Sequence, residues 1–198
     1  PILAPLWALK TFRAVSEISR LHGDKPLKIV EFGPGSGYLS LLLGLTGHQY
    51  ICTDITQAMY LWQNRIYCRL FGDDFAELAL DGSSFDGLTK QIIHIPWWRL
   101  RELYDEPAAD TDIVIADCAV SEMSQDSLLF SAALTKKLFD TSTSSTGTFP
   151  KLFLFDSFGW QNLRSPETVL ADFETMGYSV ALHRNLWGLA PKDSPLGK

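Results

Sequence analysis

Gly33, Gly35 and Gly37 alternate with Pro34 and Ser36, directly after the apolar run Lys28-Ile29-Val30-Glu31-Phe32 and directly before Tyr38-Leu39-Ser40-Leu41-Leu42-Leu43. This reads as a buried strand, a tight turn and a helix start, an arrangement that brings a nucleotide-like ligand against bare backbone. Glycine suits it because it carries no Cβ to block the approach and reaches backbone angles closed to other residues. A purely structural turn is the competing reading. The dinucleotide fingerprint wants a glycine or alanine in the sixth position of G-x-G-x-x-G, and Tyr38 stands there instead. A second acid follows at the end of His48-Gln49-Tyr50-Ile51-Cys52-Thr53-Asp54, 17 positions after Gly37. A carboxylate at such a strand end can accept both hydroxyls of a ribose. Asp54 also reads as a cap or turn residue for the next helix, and the two roles are compatible.

The spacing Glu31-x-Gly33-x-Gly35-x-Gly37 resembles motif I of the class I S-adenosylmethionine-dependent methyltransferases. That resemblance implies that Glu31 and the glycines face the methionine end of S-adenosylmethionine, with Ser36, Tyr38, Asp54 and Ile55 in the same site. A helix N-terminus favours the methionine carboxylate as well. Asp112 to Met123 looks like motif IV of the class, which puts Asp117 and Cys118 beside the reacting methyl group. Residues after the third strand lie near the adenine in this class. Trp97 and Trp98 fall there and offer flat apolar faces for stacking, core packing being the equal alternative. The acidic residue usual in that region is absent. Glu31 to Leu39, Cys52 to Ala58 with Tyr60, Ile95-Pro96-Trp97-Trp98 and Ser121-Glu122-Met123 together resemble the sugar O-methyltransferase group, over residues 28 to 125. A sugar or glycosylated small molecule is the acceptor this implies. Asp117-Cys118 departs from the asparagine-like residue expected at the start of that loop.

Methyl transfer from a sulfonium is an in-line displacement, so alignment of nucleophile, methyl carbon and leaving sulfur supplies much of the rate. A sugar hydroxyl is a poor nucleophile at neutral pH, and a base within hydrogen-bond reach is expected. His94, near the end of the third strand, and Glu122 are the two candidates; Glu122 reads equally well as a first-turn helix acid, and a lone strand histidine as a core residue. His22 and His48 lie at the wrong edge, and His183 lies in the C-terminal stretch. Two other functions stay open: an NAD-dependent oxidoreductase, against which Tyr38 counts, and a non-catalytic cofactor-binding partner subunit.

The elements that must position these groups alternate along the chain. A leading helix is expected over about 6–21, a helix over 36–45, a strand ending at Asp54 and a long helix over about 56–71. An irregular loop over 75–90 precedes a third strand, 91–95, which Pro96 ends. A continuous apolar strand over 112–116, a helix over 121–138, a polar loop over 141–148, a strand over 151–155, a helix over 166–176 and an extended stretch over 178–187 complete the series. One doubly wound, Rossmann-like α/β domain over 1–198 is therefore expected, with a mostly parallel sheet and helices on both faces. In such a sheet the ligand sits outside the C-terminal strand ends. Glu31 to Gly37, Asp54, Ile95 to Trp98, Asp117-Cys118 and Asp156-Ser157 all fall on that edge.

Composition agrees with this reading. At 198 residues, 46% hydrophobic and 20% charged, the chain can bury a full core. A net charge of −6 without a basic cluster argues against nucleic acid and for a small, neutral acceptor. Cys52, Cys68 and Cys118 fall in separate elements without metal-ligand spacing, so reduced core cysteines in a cytoplasmic protein without a metal site are expected. No apolar stretch approaches the roughly 20 residues that span a bilayer, and no signal pattern opens the chain. The first residue is Pro1 rather than methionine, which leaves room for a segment upstream. Oligomeric state is not legible.

Overall fold

A computed structural model of the protein describes residues 3–21, 23–79, 85, 89–105, 111–140, 151–155, 164–183 and 187–193. Its centre is one sheet of eight strands, β1 (Lys28–Phe32), β2 (Gln49–Thr53), β3 (Phe75–Glu77), β4 (Ile92–His94), β5 (Ile113–Ile115), β6 (Leu152–Phe155), β7 (Tyr178–His183) and β8 (Trp187–Pro191). They lie in the order β3-β4-β2-β1-β5-β6-β8-β7. The first six pair in parallel, and β8 runs antiparallel to both β6 and β7. β4, β5 and β6 are buried along their whole length, the consequence of a parallel sheet covered on both faces.

Alternate strand residues point to opposite sides, and each side has its own helices. On one side Ile29, Tyr50, Cys52, Ile92, Ile113 and Ile115 pack against α1 (Leu3–Leu21), α2 (Tyr38–Leu45) and α3 (Gln57–Phe71) through Val15, Leu39, Leu43 and Tyr67. On the other, Val30, Ile51, Ile93, Val114 and Phe153 meet α4 (Leu100–Asp105), α5 (Gln125–Asp140) and α6 (Pro166–Thr175) through Leu103, Leu128, Leu138 and Phe173. The doubly wound architecture expected from the sequence is present.

Four of the expected segments differ in kind or extent. The loop expected over 75–90 begins with β3, a three-residue edge strand too short to show a periodicity, whose Phe75, Ala76 and Glu77 pair with Ile92, Ile93 and His94. The extended stretch over 178–187 is β7 followed by β8, which inserts between β6 and β7. The helix expected from Ser36 starts at Tyr38, because Gly37 at φ 76° is its left-handed cap. The helix expected from Ser121 is split: Val120–Glu122 forms a 3-10 turn, and Met123 at ψ 142° breaks it before α5 begins at Gln125. The polar loop over 141–148, Asp156-Ser157 and His22 lie outside the described residues, as does the side chain of His183. Among the described residues no helix is long and apolar enough to cross a membrane.

Parallel register aligns a single row across the sheet, one residue before the C-terminal ends of β1 and β2. Glu77, His94, Cys52, Glu31, Ile115 and Leu154 are successive partners. Four of these six are titratable, and all four point to the side that carries α3. Glu31, at the β1 end of this group, stands two residues before the glycine turn begins.

Candidate active site

Gly33, Gly35 and Gly37 all adopt left-handed backbone, at φ 72°, 55° and 76°. L-residues with a Cβ resist that region, so the alternation of glycines is a requirement of the turn. Gly33 N–H donates to the Thr53 carbonyl at 2.9 Å and Gly37 N–H to the Pro34 carbonyl at 2.9 Å. A Cβ built on Gly35 meets nothing within 4 Å. One on Gly33 lies 3.0 Å from the Ala119 Cβ, and one on Gly37 lies 3.2 Å from the Tyr67 hydroxyl. The turn is thus packed from below at its two ends and open above its middle, the shape of a cradle.

Asp54 sits against that cradle. It is 6% exposed, and its carboxylate accepts from Gly35 N–H at 3.2 Å, Thr56 N–H at 2.8 Å and Gln63 Nε2 at 3.1 Å. The Thr56 bond is the helix-entry role expected for Asp54, since Thr56 is the cap residue of α3. Ile55 stands beside it, 79% exposed. Tyr38, Trp97 and Trp98 are also open to solvent, and the two indoles meet edge to face at 6.1 Å. They follow β4 in a 3-10 turn, Trp97–Arg99, so neither is a core residue.

Each titratable residue of the row has a hydrogen-bond partner. Tyr50 O–H donates to Glu31, Tyr60 O–H to Glu77, and Cys52 Sγ lies 4.0 Å from the Tyr67 hydroxyl. His94 Nδ1 is 2.5 Å from Asn64 Oδ1. Three of the four partners come from α3 at positions 60, 64 and 67, the spacing of one helical face. Tyr67 also meets Ser40 Oγ at 2.6 Å, and Ser40 O–H donates to the Gly37 carbonyl at 2.6 Å. A polar stripe on α3 therefore holds both the row and the turn above it.

Burial sets the electrostatics. Glu31, 3% exposed, has its carboxyl pushed well above the ordinary range, first by desolvation and then by the charges of Asp117 and Asp54. Burial raises the Cys52 thiol and the Tyr67 phenol as well, Glu31 adding to both. The His94 imidazole, at 0% exposure and stacked on Tyr60 at 4.0 Å, is lowered to about 3 by burial and is neutral at ordinary pH.

The loop after β5 contributes the remaining groups. Asp117 accepts from Thr11 Oγ1 of α1 at 2.5 Å, a bond across 106 residues that ties the leading helix to this loop. Cys118 Sγ lies 3.7 Å from Asp117 Oδ1, and Cys118 has φ 59°, a conformation costly outside glycine and concentrated at functional sites. Glu122 is exposed on the 3-10 turn that follows. Glu31, Asp54 and Asp117 thus gather around the turn, whereas His94 lies on β4 against Tyr60, closed to solvent. Gln63, Tyr67, Ser40, Tyr50 and Thr11 escaped the sequence reading. Their signal was faint: polar side chains at positions that helical or strand spacing assigns to the interior.

No family model matches the chain, and no curated protein matches it. Solved structures do. Magnesium protoporphyrin IX methyltransferase of Synechocystis, in a structure with S-adenosylmethionine bound, is 12% identical over 93% of this chain and 80% of its own, with a TM-score of 0.58. A TehB-like S-adenosylmethionine-dependent methyltransferase of Corynebacterium glutamicum is 12% identical over 88% of this chain and 85% of its own, TM-score 0.57. The cyclase SpnF is 12% identical over 86% of this chain and 58% of its own, TM-score 0.52. The chain has the Rossmann-like methyltransferase fold these proteins share. A fold that also carries a cyclase leaves the reaction to be argued from the site.

Proposed function

We propose that the protein is an S-adenosylmethionine-dependent O-methyltransferase that acts on a hydroxyl of a sugar or glycosylated small molecule. The observation that carries this reading is the cradle: three left-handed glycines, open space above Gly35, and the Asp54 carboxylate held against the Gly35 amide. A ligand with a ribose and a cationic amino-acid end fits those groups. Three of the four lone-pair sites of Asp54 are taken, and the one left, on Oδ1, serves a single ribose hydroxyl; Ile55 and Trp97 would flank the adenine, and Glu31, Ser36, Tyr38, Asp117 and Cys118 would surround the methionine end. When bound, S-adenosylmethionine supplies a methyl group on a sulfonium, open to in-line displacement.

The chain's own contribution is alignment, exclusion of water and removal of the acceptor proton. Of the two candidate bases, Glu122 is exposed, on the 3-10 turn that follows Asp117-Cys118. His94 has no exposed surface, and its pKa of about 3 leaves it a poor proton acceptor near neutrality. We therefore assign the proton to Glu122 and a structural role to His94. Perpendicular, half-exposed Trp97 and Trp98 offer one face to the adenine and another to the apolar face of a sugar ring. The net charge of −6 and unclustered cysteines favour a small neutral acceptor over nucleic acid and a cytoplasmic setting.

Calorimetry against S-adenosylmethionine, S-adenosylhomocysteine and NAD tests the cofactor. Binding of the first two is expected, and binding of NAD alone would overturn the reading. Transfer of a labelled methyl group across a panel of sugars and glycosides tests the acceptor; transfer only to protein or nucleic acid would refute the sugar assignment.

A further inference from the structure

Gln63 is a buried polar residue whose amide is only half satisfied. It has 0% exposure, on the inner face of α3. Its Nε2 donates to the Gly35 carbonyl at 2.6 Å and to Asp54 Oδ2 at 3.1 Å. Both partners are pure acceptors, so the orientation of the amide is fixed by chemistry: turned over, Gln63 would set an oxygen against two oxygens. Its own Oε1 is buried and has no hydrogen-bond partner. An unsatisfied buried carbonyl is destabilising; an apolar side chain of the same size would avoid that cost but take this donor from the Gly35 carbonyl and Asp54 Oδ2.

What the amide achieves is a bridge. Asp54 is joined to the middle of the cradle from both directions, because Gly35 N–H donates to Asp54 Oδ2 while Gln63 carries Asp54 Oδ2 back to the Gly35 carbonyl. The carboxylate that faces the ribose and the backbone that faces the rest of the ligand are thereby locked into one unit. We propose that Gln63 is a positioning residue for cofactor binding, holding the Asp54 carboxylate and the Gly35 peptide in their ligand-ready geometry. This rests on the S-adenosylmethionine reading above.

The test is a double-mutant cycle in binding, read by calorimetry with S-adenosylhomocysteine, alongside urea unfolding of every variant. Gln63→Met keeps the volume and removes both donors. Its affinity should fall about tenfold or more, the effect of a lost hydrogen bond to a charged group, while the urea midpoint falls little, because removal of the orphaned Oε1 offsets the donor lost to the Gly35 carbonyl. In an Asp54→Ala background the same substitution should cost clearly less, because half the bridge is already gone. Gln63→Glu is a second variant of nearly identical shape. Beside Asp54 its carboxylate should weaken binding further at pH 8, with recovery toward pH 5 as the introduced carboxyl takes up a proton. Wild-type affinity in both variants, or an equal loss with and without Asp54, would overturn the role. Absence of binding by the wild-type chain would instead overturn the cofactor reading, and this role with it.

Discussion

Glu31→Gln replaces a buried acid by a neutral group of the same shape, and the structure sets the sign of its effect on stability. The carboxyl is 3% exposed, and burial, Asp117 and Asp54 all push its proton affinity up. Over the interval between its unfolded value, about 4.3, and its raised folded value, the native chain keeps a proton that the unfolded chain has released. Stability then falls as pH rises, by at most about 1.4 kcal/mol per pH unit for one proton. For a chain of this size that is a decrease in Tm of about 3–6 °C per unit. Glu31→Gln abolishes this limb and still offers an oxygen to the Tyr50 hydroxyl. Its Tm should match wild type near pH 4 and exceed it increasingly above.

The comparison between the two proteins isolates Glu31 from the buried histidines, which act in the opposite direction. His48, whose Nδ1 accepts from Leu27 N–H at 3.0 Å, and His94 are both lowered by burial. Each contributes stability that is lost as pH falls below the ordinary histidine value of about 6.5. Thermal unfolding by circular dichroism at half-unit steps from pH 4 to 8 measures the difference directly. The same proton links to the ligand. A cationic amino-acid end beside Glu31 favours its ionised form, so S-adenosylmethionine binding should release a proton in wild type and not in Glu31→Gln. Calorimetry in buffers of different ionisation enthalpy reads that release. Parallel Tm profiles for the two proteins, with a binding enthalpy independent of buffer in both, would refute the reasoning.

Three further substitutions separate the parts of the site. Gly35→Ala carries only the left-handed penalty of about 1–2 kcal/mol, because its Cβ meets nothing; it should lose S-adenosylhomocysteine binding far beyond its small loss of Tm. Gly37→Ala adds contacts at 3.2 Å with Tyr67 and 3.5 Å with Ser40, so about 2–3 kcal/mol of destabilisation is expected once their hydrogen bond is disturbed, visible in urea unfolding. Glu122→Gln, on an exposed turn, should lower kcat about 10²-fold or more with unchanged Tm and cofactor affinity, whereas an intact kcat would return the search for a base to other groups.

The fold was legible because its signals are periodic or punctuated. Apolar runs mark β1, β2, β5 and β6, and glycine or proline stands beside most element ends. β3 escaped because a three-residue edge strand has no period to read, and the β7-β8 pair because an antiparallel insertion is a tertiary choice that Tyr178 to Pro191 does not encode locally. Within the site, residues that act through backbone were visible: the glycines announce their φ values by being glycine. His94 shows the limit. Its place at a strand end suggested chemistry, yet the face on which a strand residue points depends on register, and register put the imidazole under Tyr60.

Register also explains why α3 is polar where a helix covering a sheet is usually apolar. Parallel pairing brings Glu77, His94, Cys52 and Glu31 into one row, with Glu31 two residues before the first glycine. Glu31 is met from β2 by Tyr50, but with Glu77, His94 and Cys52 in the row the helix above cannot be an apolar lid without leaving those three unsatisfied. Tyr60, Asn64 and Tyr67 answer the row, and Gln63, on the same inner side, answers the turn. Within α3 it is Gln63 that bonds the backbone of the binding turn, through the Gly35 carbonyl. The row and the turn are coupled through Tyr67, which touches Cys52 below and Ser40 beside Gly37 above, so a change to the buried row should be felt at the cradle before it is felt in the distant β7-β8 pair.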